Sequence, residues 1–173
     1  MLKIALIGPE STGKTELSKR LAGHFCAPWI PEYAREYLAD KPSEYTFEDV
    51  CNIARKQVEQ EQYYTNPNNQ DTDFVFFDTE LIITKVWFEY CYKAVPAFVE
   101  EQLQTKFFDL YLLCAPDLPW EPDPLREHGG DDRLFFYNWY KSEIEKLGKP
   151  YVVITGTGEE RFQNAVEVVK NFR

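Results

Sequence analysis

The residues best suited to chemistry lie near the amino end, in one short segment that contains two glycines. Positions 8–15 read Gly-Pro-Glu-Ser-Thr-Gly-Lys-Thr, which fits the pattern G-x-x-x-x-G-K-[ST] at every fixed position. Glycines let successive main-chain N–H groups turn towards a phosphate, and the N-terminus of a following helix adds partial positive charge. The pattern predicts a P-loop that binds ATP through Gly8, Pro9, Glu10, Ser11, Thr12, Gly13, Lys14 and Thr15.

Two side chains of this P-loop and one distant acid are candidates for catalysis and metal binding. The Lys14 ammonium can contact the terminal phosphates, and the Thr15 hydroxyl can bind Mg²⁺. Asp78 ends the apolar run Phe-Val-Phe-Phe-Asp, so we expect it at the carboxyl edge of a sheet, where it would hold the same Mg²⁺. The other interpretation of Asp78 is a helix N-cap, and the two roles are compatible.

Glu32 is the candidate general base. It lies in the segment Pro-Glu-Tyr-Ala-Arg-Glu-Tyr at 31–37, after a short extended stretch, and a carboxylate there would face the same cleft and accept the proton of an attacking hydroxyl. The alternative is a solvated, acidic helix start. Arg35 in the same segment would either bind substrate or pair with a neighbouring acid, and its spacing leaves both interpretations open.

Residues 115–133 form a segment rich in proline and charge, with two adjacent glycines near its end. A long irregular segment between apolar strands is typical of a functional lid. Arg126 and Arg133 lie in this segment and are candidates for neutralising charge on a transferred phosphoryl group. The alternative is that both arginines are exposed and contribute only solubility.

Aromatic side chains make up 16% of the chain, and most are expected in the core. Tyr33, Tyr37 and Trp87 are candidates to stack on a flat heterocycle of a substrate, because they lie in or near the segments already described. Thr157 follows the last apolar run, in Thr-Gly-Thr-Gly at 155–158, and is predicted to contact the adenine.

Short apolar runs alternate with segments of helical period along the chain. Runs at 4–7, 74–77, 110–113 and 151–154 suit strands buried on both faces of a parallel sheet. Helical periodicity follows Lys14, and it recurs after Thr46, over 80–92 and over 162–169. Thr46 and Asp49 have the spacing of a capping box. This alternation predicts an α/β domain of three layers, with 27–32 as an edge strand at best because of its two prolines.

Composition excludes several classes of partner. The chain has 19 basic and 29 acidic residues, a net charge of −10, which is the wrong sign for holding nucleic acid by its phosphates. No apolar run approaches the ~20 residues that span a membrane, and the amino end lacks a signal-peptide pattern. We expect a cytoplasmic protein with no membrane or nucleic-acid partner. Its four cysteines include no CxxC pair, and each is predicted to be a buried free thiol.

Four segments together resemble the ribosylnicotinamide kinase domain of NadR-like proteins, an AAA-type P-loop ATPase family. They are 8–15, 31–37, Phe-Asp-Thr-Glu at 77–80, and the stretch from Pro119-Trp120 to Arg126. The resemblance implies a nucleoside-monophosphate-kinase-like fold with a five-stranded parallel sheet in the order 2-3-1-4-5. It also implies ATP-dependent phosphorylation of nicotinamide riboside, a small-molecule nucleoside, to nicotinamide mononucleotide. By the same resemblance Lys14 and Thr15 hold ATP and Mg²⁺, Asp78 serves the metal and Arg126 belongs to the lid.

This sequence departs from the family pattern at two positions. Glu80 stands where the family tends to have a second aspartate, and Pro124 stands where it tends to have a glycine. The sequence begins at the P-loop strand, so we expect one kinase domain over 1–173, without the adenylyltransferase and DNA-binding parts of longer relatives.

Two other functions stay open beside the nicotinamide riboside kinase. One is an ATP-dependent regulatory switch, whose lid would change partner contacts with nucleotide state. The other is a kinase for a different nucleoside. A GTP-specific switch is disfavoured, because no Asn-Lys-x-Asp loop follows Leu113 or Ile154. We predict no particular oligomeric state.

Overall fold

A five-stranded parallel sheet forms the centre of the molecule. The computed structural model describes residues 1–39, 45–124 and 126–172. The strands lie in the order β2-β3-β1-β4-β5, which confirms the order that the family resemblance implied. Their bounds are Leu2–Ile7 for β1, Trp29–Ile30 for β2, Phe74–Asp78 for β3, Leu110–Cys114 for β4 and Tyr151–Ile154 for β5.

Helices cover both faces of this sheet. They are α1 (Lys14–His24), α2 (Tyr33–Leu38), α3 (Phe47–Tyr63), α4 (Leu81–Tyr92), α5 (Ala97–Gln104), α6 (Asp132–Leu147) and α7 (Gly158–Asn171). The capping box at the start of α3 is confirmed: the Thr46 side chain accepts from the Asp49 N–H, and the Asp49 carboxylate accepts from the Thr46 N–H. None of the helices that the structure describes is long and apolar enough to cross a membrane.

The two cores follow from the alternation of side chains along the central strands. Ile4 and Leu6 of β1 point to the face covered by α1 and α7. Ala5 and Ile7 point to the opposite face, covered by α3, α4, α5 and α6. Since both faces of β1, β3 and β4 are covered, these strands read as continuous apolar runs.

Three expectations need correction. Val152 and Val153 of β5 are exposed, because β5 is the edge strand and lacks a neighbour on one side. Cys26 and Cys91 are exposed rather than buried, since they lie at the ends of α1 and α4. The predicted lid also ends earlier than expected: α6 begins at Asp132, so Arg133 belongs to a helix and not to the irregular segment. Residues 115–131 are called the lid segment below.

The pairing of β1 with β3 positions the functional end of the sheet. β1 ends at Ile7, just before the P-loop, and Leu6 lies beside Asp78 in the register. The Thr79 N–H then donates to the Leu6 carbonyl at 3.1 Å. Because the strands are parallel, Asp78 and the P-loop come out at the same edge. The edge strand β2 is confirmed, and its residue Ile30 pairs with Phe77 of β3.

Candidate functional site

A cavity of about 580 Å³ opens at the carboxyl edge of the sheet. Its wall is built from the P-loop, α2, α4, the lid segment and α6. It brings together twelve of the residues that the sequence singled out: Gly8, Pro9, Glu10, Ser11, Thr12, Gly13, Lys14, Thr15, Glu32, Arg35, Trp87 and Arg126. Five others do not line it: Tyr33, Tyr37, Asp78, Arg133 and Thr157.

The P-loop connects β1 to the first turn of α1. Gly8 has φ 154, and a Cβ at that position would lie 2.7 Å from the Cys114 carbonyl oxygen, so only glycine fits there. The Thr12 hydroxyl and the Lys14 ammonium both donate to the Pro9 carbonyl, at 2.8 and 2.9 Å. These two hydrogen bonds join the end of the loop to its beginning, and the second holds the Lys14 ammonium against the loop.

Asp78 is a buried carboxylate at the base of the site. It is 2% exposed, and neither of its oxygens forms a hydrogen bond by distance and angle with any residue that the structure describes. Burial, with a smaller effect of the Glu32 charge, raises the pKa of Asp78 to about 6, while Lys14, the Thr15 hydroxyl and Arg35 oppose that rise. Among the described residues, Asp78 thus has nearby positive charges but no direct ion pair.

A divalent cation fits this arrangement. Mg²⁺ is usually held by one or two protein oxygens, with phosphate oxygens and water completing the shell. The unpartnered Asp78 carboxylate and the neighbouring Thr15 hydroxyl supply such a pair. No cluster of three or more His, Cys, Asp or Glu side chains suited to a metal occurs in the described part of the chain.

Glu80 and Asp78 have different surroundings. The Glu80 side chain accepts from the Ile82 N–H at 3.0 Å and caps α4. It is 1% exposed, and burial, together with the charge of Glu61, raises its pKa well above the usual value. Glu80 does not line the cavity. Of the two residues that depart from the family pattern, Glu80 therefore lies in the interior of the protein, whereas Pro124 lines the cavity.

Glu32 and Arg35 form an ion pair at the mouth of the site. Glu32 is the N-cap residue of α2, and its carboxylate accepts from Arg35 Nε at 3.2 Å. Arg35 also donates from Nη1 to the Asp123 carboxylate at 2.9 Å. The pairing of Arg35 with neighbouring acids, one of its two interpretations, is thus observed, and it links α2 to the lid segment.

The lid segment lies directly on the P-loop. The Glu10 carboxylate accepts from the backbone N–H groups of Glu127 and His128, at 3.2 and 2.9 Å. Ser11 Oγ donates to the Pro119 carbonyl at 3.1 Å and accepts from the Glu121 N–H at 3.0 Å. The two variable positions in the middle of the P-loop motif therefore contact the lid segment through their side chains.

The two arginines predicted for the lid have different positions. Arg126 lines the cavity and donates to the Glu121 carbonyl within the lid segment. Arg133 lies in the first turn of α6, is 7% exposed and donates to the carbonyls of Leu118 and Ser11, at 2.8 and 2.9 Å. Arg133 thus contacts the P-loop main chain, outside the cavity.

One wall of the cavity is aromatic. Trp87 lies there with four residues that the sequence did not single out: Tyr45, Tyr90, Phe136 and Tyr140. Spacing could have found Tyr90, because Ile83, Trp87 and Tyr90 recur on one face of α4. Tyr45 gave no such signal, since it precedes α3 in a connecting segment, where it donates to the Glu127 carboxylate at 3.0 Å.

Tyr33, Tyr37 and Thr157 occupy positions around the site rather than in it. The Tyr37 hydroxyl donates to Asp49 at 3.0 Å and accepts from Asn52 at 3.1 Å, which ties α2 to α3. The Tyr33 ring packs against Tyr37, with centroids 5.9 Å apart. Thr157 is the N-cap residue of α7 at the sheet edge beyond β5.

Comparison with known families decides the classification. A family model described as an AAA domain matches residues 3–161. The chain belongs to this AAA domain family.

Relatives of this AAA domain include a longer protein of Escherichia coli. The chain is 27% identical to the trifunctional NAD biosynthesis/regulator protein NadR, over 96% of this chain and 42% of that relative. It therefore spans less than half of the length of the relative that it matches. The resemblance to NadR-like proteins is confirmed.

Solved structures share the fold of this AAA domain. A crystal structure of NadR in complex with NAD and AMP-PNP has a TM-score of 0.70 and 25% identity, over 99% of this chain and 49% of that chain. Thymidylate kinase from Ehrlichia chaffeensis has a TM-score of 0.64 and 16% identity, over 99% of this chain and 98% of that chain, which shows the fold alone. The nucleoside-monophosphate-kinase-like fold is thereby confirmed.

Proposed function

We propose that this AAA domain is a kinase that transfers the terminal phosphoryl group of ATP to a hydroxyl of nicotinamide riboside. The observation that carries the proposal is one cavity that is lined both by the P-loop and by an aromatic, partly acidic wall. A volume of about 580 Å³ lies within the usual range of small-molecule sites. The family relationship to a protein named for NAD biosynthesis supports the same acceptor.

The P-loop would bind the triphosphate. Its main-chain N–H groups would hold the phosphates, and Lys14 would leave the Pro9 carbonyl to contact their terminal oxygens. Thr15 and Asp78 would hold Mg²⁺, which neutralises charge on the β- and γ-phosphates when bound. Arg126 lines the cavity on the lid side and would stabilise charge on the phosphoryl group during transfer.

Glu32 is the residue that we assign as general base. Its carboxylate lines the cavity, whereas Asp78 lies beneath it with a raised pKa and suits a metal better. In the proposed reaction the acceptor hydroxyl gives its proton to Glu32 as the oxygen attacks the terminal phosphorus, and ADP leaves. The ion pair with Arg35 fixes the direction of the Glu32 carboxylate.

The aromatic wall of the cavity would bind the base of the acceptor. Nicotinamide riboside carries a positively charged ring, which suits the faces of Trp87 and Tyr90 through cation–π attraction. Glu127 adds a carboxylate to the same wall, held there by the Tyr45 hydroxyl. A neutral nucleoside would gain less from this combination, which is why we favour the cationic acceptor.

A panel of nucleosides tests this function. ATP consumption is measured with Mg²⁺ and nicotinamide riboside, or with neutral ribonucleosides and deoxynucleosides of similar size. We expect turnover with nicotinamide riboside above all others. Turnover of a neutral nucleoside instead would keep the kinase and change its acceptor, and no turnover of any nucleoside would remove the kinase assignment.

A further inference from the structure

Two buried guanidinium groups hold the P-loop from the side opposite the cavity. Arg133 of α6 donates from Nη2 to the Ser11 carbonyl at 2.9 Å. Arg161 of α7 donates from Nη2 to the Thr12 carbonyl at 3.0 Å. These two side chains are 7% and 4% exposed, and neither lines the cavity. Consecutive carbonyls of the P-loop are thus bound by arginines from two different helices.

Each arginine also bonds to a second part of the molecule, which fixes its position. Arg133 donates from Nη1 to the Leu118 carbonyl of the lid segment at 2.8 Å. Arg161 donates to the carbonyls of Ala115 and Gly156, at 3.1 and 3.0 Å, and forms an ion pair with Asp117 at 2.7 Å. The planar fork of a guanidinium group makes several such bonds at once without losing its direction.

The geometry of the peptide unit gives these contacts a consequence inside the cavity. In a trans peptide, a carbonyl and the N–H of the next residue point in opposite directions. Binding the Ser11 carbonyl from outside therefore aims the Thr12 N–H inwards, and binding the Thr12 carbonyl does the same for the Gly13 N–H. These are main-chain donors that a P-loop uses for phosphate.

The Ser11 backbone shows why such support is needed. Ser11 has φ 56, in the left-handed region that non-glycine residues seldom adopt. A residue in this region persists only where its surroundings over-determine it. Ser11 has three such contacts, because its hydroxyl is bonded to Pro119 and Glu121 and its carbonyl to Arg133.

We infer that Arg133 and Arg161 are positioning residues, which aim the P-loop amides at the phosphates from behind the loop without touching the transferred group. This inference rests on the ATP-binding half of the proposed function and is independent of the acceptor. It gives Arg133 a different role from the neutralising one that the sequence indicated, and it adds Arg161, which no motif marked.

The first experiment measures nucleotide affinity of single variants. Calorimetry with Mg²⁺ and a non-hydrolysable ATP analogue compares the parent with Arg133→Met and Arg161→Met, and with Arg20→Met as control. Arg20 forms an exposed ion pair with Glu159 and does not line the cavity. We expect a loss of about tenfold or more in affinity for the first two, because charged hydrogen bonds are lost, and less than about twofold for the control.

The conservative variants separate positioning from catalysis. Arg133→Lys and Arg161→Lys keep the charge but not the fork, so they should recover part of the analogue affinity, and their KM for ATP should change more than their kcat. If kcat fell while analogue affinity stayed at the parent value, Arg133 or Arg161 would act on the transferred group and the inference would be wrong. Unchanged affinity and kcat together would refute it equally.

A measurement on the parent protein needs no variant. Nitrogen-15 NMR of the guanidinium groups reports how fast their protons exchange with water. We expect slow exchange for Arg133 and Arg161 before any nucleotide is added, since both are already bonded to carbonyls. Rapid exchange would overturn the inference. If the parent failed to bind the analogue at all, the proposed function would fail, and this exchange measurement would still decide where the two arginines lie.

Discussion

Glu32 and Asp78 are two carboxylates of one site with different surroundings. Glu32 is half-buried, lines the cavity and pairs with Arg35, whereas Asp78 is buried, and neither of its oxygens bonds by distance and angle to a described residue. A charge-paired carboxylate in contact with a cavity suits proton transfer, and a buried carboxylate without a partner suits a cation. These different surroundings are why we propose Glu32 as the base and Asp78 as the metal ligand.

Replacing Glu32 by glutamine tests its role as base. We expect kcat to fall by about 10²- to 10⁴-fold, since the amide cannot accept the proton, while affinity for the ATP analogue changes little. Steady-state kinetics with nicotinamide riboside measures the effect. Glu36→Gln, on an exposed position of the same helix, is the matched control. A loss in kcat below about tenfold for Glu32→Gln would argue against the base assignment.

Glu61 gives the stability of the fold a pH dependence. It is 3% exposed and accepts a hydrogen bond from Gln102 at 2.7 Å, and burial raises its pKa to about 8 although that bond opposes the rise. Because this pKa is higher in the folded state than in the unfolded state, folding binds a proton. The contribution of protonated Glu61 to the unfolding free energy is present in full at low pH, and it is lost as pH rises from about 4.5 towards 8.

Glu61→Gln should therefore flatten the pH dependence of unfolding. When the pH is raised from 6 to 8, the unfolding free energy of the parent should fall by about 2 kcal/mol more than that of the variant. Urea denaturation at both pH values measures the difference. Glu59→Gln, exposed on the same helix, should behave as the parent does. Equal pH dependence in the Glu61 variant and the parent would show that Glu61 ionises normally in the folded state.

At the scale of elements, side-chain hydrogen bonds join the lid segment to the P-loop. The Glu10 carboxylate accepts hydrogen bonds from two backbone N–H groups of the lid segment, and the Ser11 hydroxyl makes two further hydrogen bonds to it. If the lid segment opens and closes as we propose, its closure is coupled to the same loop that would hold the phosphates. Such coupling suits a kinase, which must exclude water from the transferred phosphoryl group.

Glu10→Ala tests this coupling. Without the two charge-assisted hydrogen bonds the lid segment should open more often, and trypsin should cut after Arg126 at least about fivefold faster in the absence of nucleotide. Mass spectrometry of timed digests locates and quantifies that cut. Glu16→Ala, in the first turn of α1, is the control. Equal cutting rates in the Glu10 variant and the parent would show that Glu10 does not hold the lid.

Predictability from the sequence differed between elements. Runs buried on both faces marked β1, β3 and β4, and the capping box marked α3, because those signals are local. α6 was missed, since its first three turns mix buried and exposed aromatic side chains and no clear helical period results. That omission placed Arg133 in the lid rather than on a helix.

The site, too, was predictable only where its residues are close together in the sequence. The P-loop is contiguous, so its motif identified eight lining residues together. Tyr45 and Glu127 come from separate connecting segments that meet only in the fold. Arg161 bonds mainly to backbone carbonyls, and main-chain acceptors leave no mark on a residue pattern.

At the scale of the whole molecule, a net charge of −10 opposes the binding of an anion. Salt screens that long-range field within about 8–10 Å, so local groups decide the outcome. Among the described residues, the cavity lining itself does not supply an excess of positive charge. The main-chain N–H groups of the P-loop and the Lys14 ammonium must therefore hold the phosphates. The charged residues of the lining are Lys14, Lys19, Arg35, Arg126, Glu10, Glu16, Glu32, Glu121 and Glu127. The account therefore requires a triphosphate to bind despite the overall charge, and it requires Lys14 for that binding.

Calorimetric titration of the protein with a non-hydrolysable ATP analogue and Mg²⁺ tests this requirement most directly. We predict saturable heat from one site in the parent, and a loss of about tenfold or more in affinity for Lys14→Ala with an unchanged melting temperature. Lys19→Ala removes a charge from the same cavity lining but lies outside the P-loop motif, so its loss in affinity should be much smaller than that of Lys14→Ala. No heat from the parent, or equal affinity in Lys14→Ala, would contradict the account.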